Sequence, residues 1–219
     1  MLSLTIEQFA DELPDYYQRY TQSQYYKPYI NLESKLSQKA INMGYLELAD
    51  LADIAEWGGN QHAIKKRLQT HNSAEEVVFS TKKAIQQMEN PATALRELLI
   101  GINHWGLSYA SKTLRFINPQ SYPALDQKLR DTIDSSLLPR IYDGHIDSMV
   151  RGYLIFLGIC QEIRSYVTAS APRSNRWFIA DIEMGLFQFG ALVKCCGNSF
   201  QHLFSLTPYP CQFRHLFPL

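Results

Sequence analysis

Residues 106 to 129 read GLSYASKTLRFINPQSYPALDQKL. Tyr109, Thr113, Leu114 and Ile117 recur at three- and four-residue spacing, which is the period of one helix face. Asn118-Pro119 and Tyr122-Pro123 then break that helix, because the residue before a proline is driven out of the helical region. The chain restarts at Asp126, a residue whose carboxylate readily caps a new helix. A lone acid at such a break has two possible uses: it can cap, or it can serve as the one carboxylate of an active site.

Upstream, the same helical period dominates and no strand-like alternation is sustained, so the fold class is all-α. Ile6 to Tyr20 reads as a first helix, followed by the aromatic loop SQYYKPY, in which Tyr25, Tyr26 and Tyr29 are expected to pack. Leu32 to Asn42 and Leu46 to Glu56 follow, closed by Gly44 and by Gly58-Gly59, since glycine accepts the left-handed conformation that ends a helix. Ser73 and Glu76 have the S-x-x-E spacing of a capping box. Asn90-Pro91 ends that helix, and Ala92 to Ile102 forms the next. Downstream, helices are expected over Gln127 to Ser136, Ile146 to Tyr166 and Phe178 to about Lys194, with TASAPRSNR as the loop between the last two. Residues 1–196 thus read as one helical domain and 197–219, which lack periodicity, as an irregular tail.

With 219 residues, 46% of them hydrophobic, the chain can fill a real core. It has no apolar run of membrane-spanning length, and its first residues lack the layout of a secretory signal, so a monomeric cytoplasmic protein is expected. Net charge is zero, with 21 basic and 21 acidic side chains. Bulk attraction of nucleic acid is therefore excluded as an argument. The balance is uneven, however: residues 1–99 carry 10 Lys and Arg against 13 Asp and Glu, and residues 100–219 carry 11 against 8. Cys160, Cys195, Cys196 and Cys211 form no C-x-x-C, and His62, His71, His145, His202 and His215 have no ligand spacing, so no metal site is expected.

INHWGLSYASKTLRFINPQSYPALDQKL, residues 102–129, resembles the hairpin and catalytic segment of the helix-hairpin-helix DNA glycosylases. In that superfamily the hairpin reads approximately L-P-G-V-G-x-x-x-A, followed by an apolar helix and a proline-containing turn ending in an aspartate. Ile102 takes the leucine place, Trp105 the valine, Gly106 the second glycine, Ala110 the alanine, and Asp126 the catalytic aspartate. Ser108 stands where bifunctional members carry a lysine, and lies 18 positions before Asp126. Two features depart from the pattern. Asn103 and His104 replace the proline and first glycine, and the four-cysteine iron-sulfur pattern is absent. In its short segment before the hairpin the chain resembles compact, divergent members similar to the 8-oxoguanine-glycosylase-like proteins.

The resemblance implies a two-lobed helical bundle with a helix-hairpin-helix motif and a cleft between lobes. It implies removal of a modified base from double-stranded DNA, either an oxidised purine or a hypermodified phage base, by base flipping. Cleaving an N-glycosidic bond builds positive charge on the sugar, which the Asp126 carboxylate would stabilise while orienting water. His104, Trp105, Gly106 and Ser108 would meet the DNA backbone, with room for a monovalent ion at the hairpin carbonyls and no iron-sulfur cluster. Lys112 lies one turn after Ser108 and could reach the abasic sugar. The preferred reading places it on a phosphate with Arg115, giving a monofunctional enzyme that leaves an abasic site. Asn60 and Gln61, in WGGNQHAIKK, are candidates for the wedge that fills the vacated stack. Two other readings stay open: a catalytically inactive DNA-binding module and an all-helical protein-binding adaptor.

Overall fold

The computed structural model of the chain describes residues 5–24 and 26–195, and these are all-helical, without strands. Tyr25 and the tail over 197–219, together with Cys196, lie outside the described residues, and so do Cys211, His202 and His215. Among the described residues ten α-helices follow in order: α1 Ile6–Thr21, α2 Tyr26–Met43, α3 Leu48–Trp57, α4 Ile64–His71, α5 Ala74–Gln86, α6 Pro91–Gly101, α7 Leu107–Ile117, α8 Gln127–Arg130, α9 Ile146–Tyr166 and α10 Ile179–Cys195. None of the described helices is long and apolar enough to cross a membrane.

Local chemistry sets most boundaries. Thr5 and Gln8 cap α1 reciprocally, and Ser73 and Glu76 do the same for α5, as the S-x-x-E spacing indicates. Three expectations need correction. Helix α2 starts at Tyr26, not Leu32, because Pro28 sits in its first turn, where a missing N–H costs nothing. Asn90-Pro91 starts α6 as its N-cap and first residue. Helix α8 stops after one turn, and Asp134 then folds the chain into a tight turn by accepting the Ser136 amide at 2.7 Å.

Helix α1 packs along α9 and α10, while α2, α3, α5, α6 and α7 pack among themselves; α6 against α9, and to a smaller extent α1 against α2, join the two groups. Leu13, Leu36, Leu51, Leu98, Leu114 and Phe156 are fully buried along this core. The five residues between α6 and α7 form a tight hairpin. His104 takes a left-handed φ of 62°, at the position where the resembled family has glycine. Its ring lies against that of His71, tilted by 52° with centroids 4.5 Å apart. The neighbouring peptide is clamped by Asn72 at the end of α4: Asn103 N–H donates to Asn72 Oδ1 at 2.7 Å, and Asn72 Nδ2 donates back to the Asn103 carbonyl at 3.1 Å. This reciprocal pair holds the turn that a glycine and proline would otherwise favour.

Asn72→Ala should therefore cost about 2–3 kcal/mol, because the Asn103 amide loses its partner. Urea denaturation would measure that loss, and amide hydrogen exchange at Asn103 should accelerate beyond what global destabilisation explains.

Candidate active site

Helix α7 starts at Gly106, which has no side chain to cap the first amides of the helix. Its outward first turn carries Ser108 and Tyr109, both half-buried; beyond Tyr109 every residue from Ala110 to Ile117 is buried, Lys112 and Arg115 included. The segment 122–126 then folds back across this helix. Tyr122 Oη donates to the Met88 carbonyl, and Tyr153 Oη on α9 donates to the Pro123 carbonyl at 3.0 Å. The Ala124 amide donates to the Glu183 carboxyl on α10, and the Leu125 amide donates to Ser111 Oγ on α7 at 2.9 Å. Each residue from 122 to 125 is thus tied to a different part of the fold.

Asp126 emerges from this turn as the N-cap of α8. One carboxylate oxygen, Oδ1, accepts the Leu129 amide at 3.1 Å. The other, Oδ2, lies 3.8 Å from Lys112 Nζ, and the side chain keeps 23% of its surface exposed. Capping and facing a site are therefore divided between the two oxygens. Lys112 is buried, with its side chain 8% exposed, and its ammonium donates to Ser108 Oγ at 2.9 Å and lies over the Tyr109 ring at 5.2 Å. Burial pushes its pKa below the ordinary lysine value, against the opposing pull of Asp126 and Glu183. The lysine of α7 thus reaches back one turn to Ser108.

Three further expectations are corrected here. Lys112 does not stand on the surface as a phosphate contact. Arg115 is 1% exposed, with its guanidinium 4.3 Å from the Tyr29 ring and its Nε 3.0 Å from Glu183 Oε2, so it meets no phosphate either. Trp105 is also in the core, donating Nε1–H to Thr113 Oγ1 at 3.0 Å, because the hydrophobic side of the hairpin must close over α7. His104 and Gly106 are exposed, and Ser108 is half-exposed, on the outer side of the hairpin. Asn60, at φ 45°, accepts the Lys65 amide on Oδ1 at 2.9 Å and so caps the turn into α4. The backbone of Gln61 lies in the short 3-10 turn Gln61–Ala63.

Glu183 escapes the sequence reading, although one signal was available: two acids, Asp181 and Glu183, interrupt the otherwise apolar WFIADIEMGLF. Glu183 is 4% exposed. Burial first, with Asp126 adding to it and Arg115 opposing, pushes its pKa up to about 7. Although Arg115 Nε is only 3.0 Å away, its N–H is not aimed at Oε2, so the contact is an ion pair without a hydrogen bond. Asp181 plays a different part: Arg173 joins it to Glu33 and so ties α10 to α2.

A depression of ≈ 460 Å³ opens beside the hairpin, lined by His104, Gly106, Ser108 and Tyr109 on one side and Arg130 and Asp143 on the other. Lys112 and Asp126 do not line it; Ser108 connects the two regions. The described residues contain no group of three or more side chains suited to a metal ion. No protein-family model, curated protein or solved structure matches the chain.

Arg115→Ala should destabilise the protein by about 3–5 kcal/mol at pH 8, because a buried carboxylate loses its counter-charge. The loss should shrink at pH 5.5, below the raised pKa of Glu183, where the carboxyl is already neutral in the folded state. Urea denaturation at the two pH values checks this.

Proposed function

We propose that this protein is a DNA N-glycosylase built around Asp126 and Lys112, with residues 102–106 as the hairpin of a helix-hairpin-helix and the two helix groups as lobes flanking a cleft. The observation that carries this reading is the buried Lys112 ammonium 3.8 Å from a partly exposed Asp126 carboxylate oxygen. A desolvated amine beside a partly exposed carboxylate is poor as structural reinforcement, since burying the ammonium costs free energy that a contact at 3.8 Å only partly offsets. It suits chemistry on a sugar that becomes cationic.

In this reading the target nucleotide leaves the stack and its sugar C1′ comes to Asp126 Oδ2. As the N-glycosidic bond breaks, its electron pair leaves with the base, which takes up a proton. The carboxylate stabilises the positive sugar. The exposed face of His104, Gly106 and the uncapped start of α7 meets a backbone phosphate, because helix N-termini attract anions. Asn60 already spends its side-chain oxygen on the Lys65 amide, which favours Gln61 as the wedge.

The sequence alone favours water as the nucleophile. The burial of Lys112 beside Asp126 supports its amine instead, since a lysine with a lowered pKa attacks more readily. The bond formed is then between Nζ and C1′ as the bond to the base breaks; the nitrogen gives one proton to the ring oxygen as the C1′–O4′ bond opens, leaving a Schiff base that borohydride can reduce.

A panel of duplexes carrying single modified bases, and modified phage DNA, should contain a substrate that becomes alkali-labile. On it, Asp126→Asn should slow base release by roughly 10²–10³-fold while DNA binding persists. Borohydride should cross-link wild-type protein to DNA, but not Lys112→Ala. Base release without a cross-link would restore water as the nucleophile, and no release from any duplex would overturn the glycosylase reading.

A further inference from the structure

Lys112 and Arg115, one turn apart on α7, pair with Asp126 at 3.8 Å and Glu183 at 3.0 Å, and form a quartet of two cations and two anions in which only Asp126 is partly exposed. Glu183 is buried, its Oε2 lies 3.0 Å from Arg115 Nε without a hydrogen bond to it, and its carboxyl holds the Ala124 amide two residues before Asp126. The other titratable groups around it are Tyr20 on α1 and Tyr153 and Cys160 on α9. All three are buried, and burial pushes each away from ionising, so none of them supplies charge near neutral pH.

The quartet has a charge constraint. With all four groups ionised it is neutral. If Lys112 surrendered a proton to solvent, a net negative charge would remain in a site with little water to screen it, which is costly. If Glu183 gains a proton as Lys112 loses one, neutrality is kept. Both groups are shifted toward that exchange, the lysine downward and the carboxyl up to about 7.

We propose that Glu183 is a positioning residue that takes up the proton Lys112 gives up, so that the buried quartet stays neutral when the amine becomes a nucleophile. The ammonium becomes an amine with a free lone pair, the carboxylate becomes a carboxylic acid, and Asp126 and Arg115 keep their charges. When the base departs with the N-glycosidic electron pair, the proton held by Glu183 passes to it, and the positive charge of the Schiff base on Lys112 balances the restored carboxylate. The inference rests on the glycosylase reading, but the exchange itself is a property of the free protein.

The test is ¹³C NMR of the full chain without DNA, following Lys112 Cε and Glu183 Cδ as the pH is varied. In Glu183→Gln the Lys112 midpoint should fall by about one pH unit or more, since a neighbouring anion is lost. In Lys112→Met the Glu183 midpoint should rise by a similar amount, because coupling between two sites is reciprocal. If either midpoint stays within a few tenths of a unit, the proposal is overturned. Should Glu183→Gln fail to fold, the Lys112→Met arm decides alone. Borohydride cross-linking by wild-type protein without this coupling would sink the inference and leave the glycosylase reading intact. Coupling without base release from any duplex would retain the exchange and sink the reading.

Discussion

The seating of residues 122–126 against α7 is the constraint on which the candidate site depends. A proline-rich turn has few backbone donors of its own, and a buried turn must find partners for every peptide group. Here they come from three directions, Ser111 on α7, Tyr153 on α9 and Glu183 on α10, while the Tyr122 hydroxyl anchors the turn by donating to the Met88 carbonyl. The Ile179 and Ala180 amides at the start of α10 donate to the Gln120 and Pro119 carbonyls, so the helix that carries Glu183 is registered to the same segment. The turn positions Asp126, and it also aligns α10 with α7.

Charge burial follows from that seating. Arg115 faces inward because its helix is covered by α2, α3, α6 and the returning turn, and Glu183 lies opposite because the first amides of α10 are bonded to the carbonyls of Pro119 and Gln120. Aromatic rings flank the guanidinium, Tyr29 at 4.3 Å and Trp57 at 5.5 Å, which partly offsets its desolvation. Such an ion pair without a hydrogen bond contributes less to stability than an apolar pair of equal volume would. Its retention in the interior is easiest to understand if the electrostatics serve the Lys112–Asp126 pair next to it.

Local signals carried much of the architecture into the sequence. The capping box at Ser73 and Glu76, the glycines at 58 and 59, and the uninterrupted period from Ile146 to Tyr166 each depend on neighbours within a few residues, and each element stands where those neighbours put it. Two of the misjudged boundaries involve prolines, at 28 and 91, whose effect reverses according to whether they stand in the first turn of a helix or beyond its last, and the third is the early end of α8 before the Asp134 turn. Asp126 was legible as an N-cap because Pro-x-x-Asp is a local pattern. The surroundings of Lys112, Arg115 and Trp105 were not, because a charged or aromatic residue on a helix reads as outward or inward only once its tertiary neighbours are known. Glu183, 57 positions beyond Asp126, belongs to the site through packing alone.

If the glycosylase reading holds, a sugar must be able to occupy the junction of α7 and Asp126, within reach of both Lys112 and the carboxylate. The most direct measurement is a crystal structure of Asp126→Asn bound to a duplex with a substrate nucleotide or an abasic-sugar analogue. The extruded sugar C1′ should lie within about 3.5 Å of Lys112 Nζ and of the carboxamide that replaces the Asp126 carboxylate, with the hairpin amides at 106–108 on a phosphate. A sugar bound elsewhere, or DNA held with this junction turned away from it, would contradict that placement.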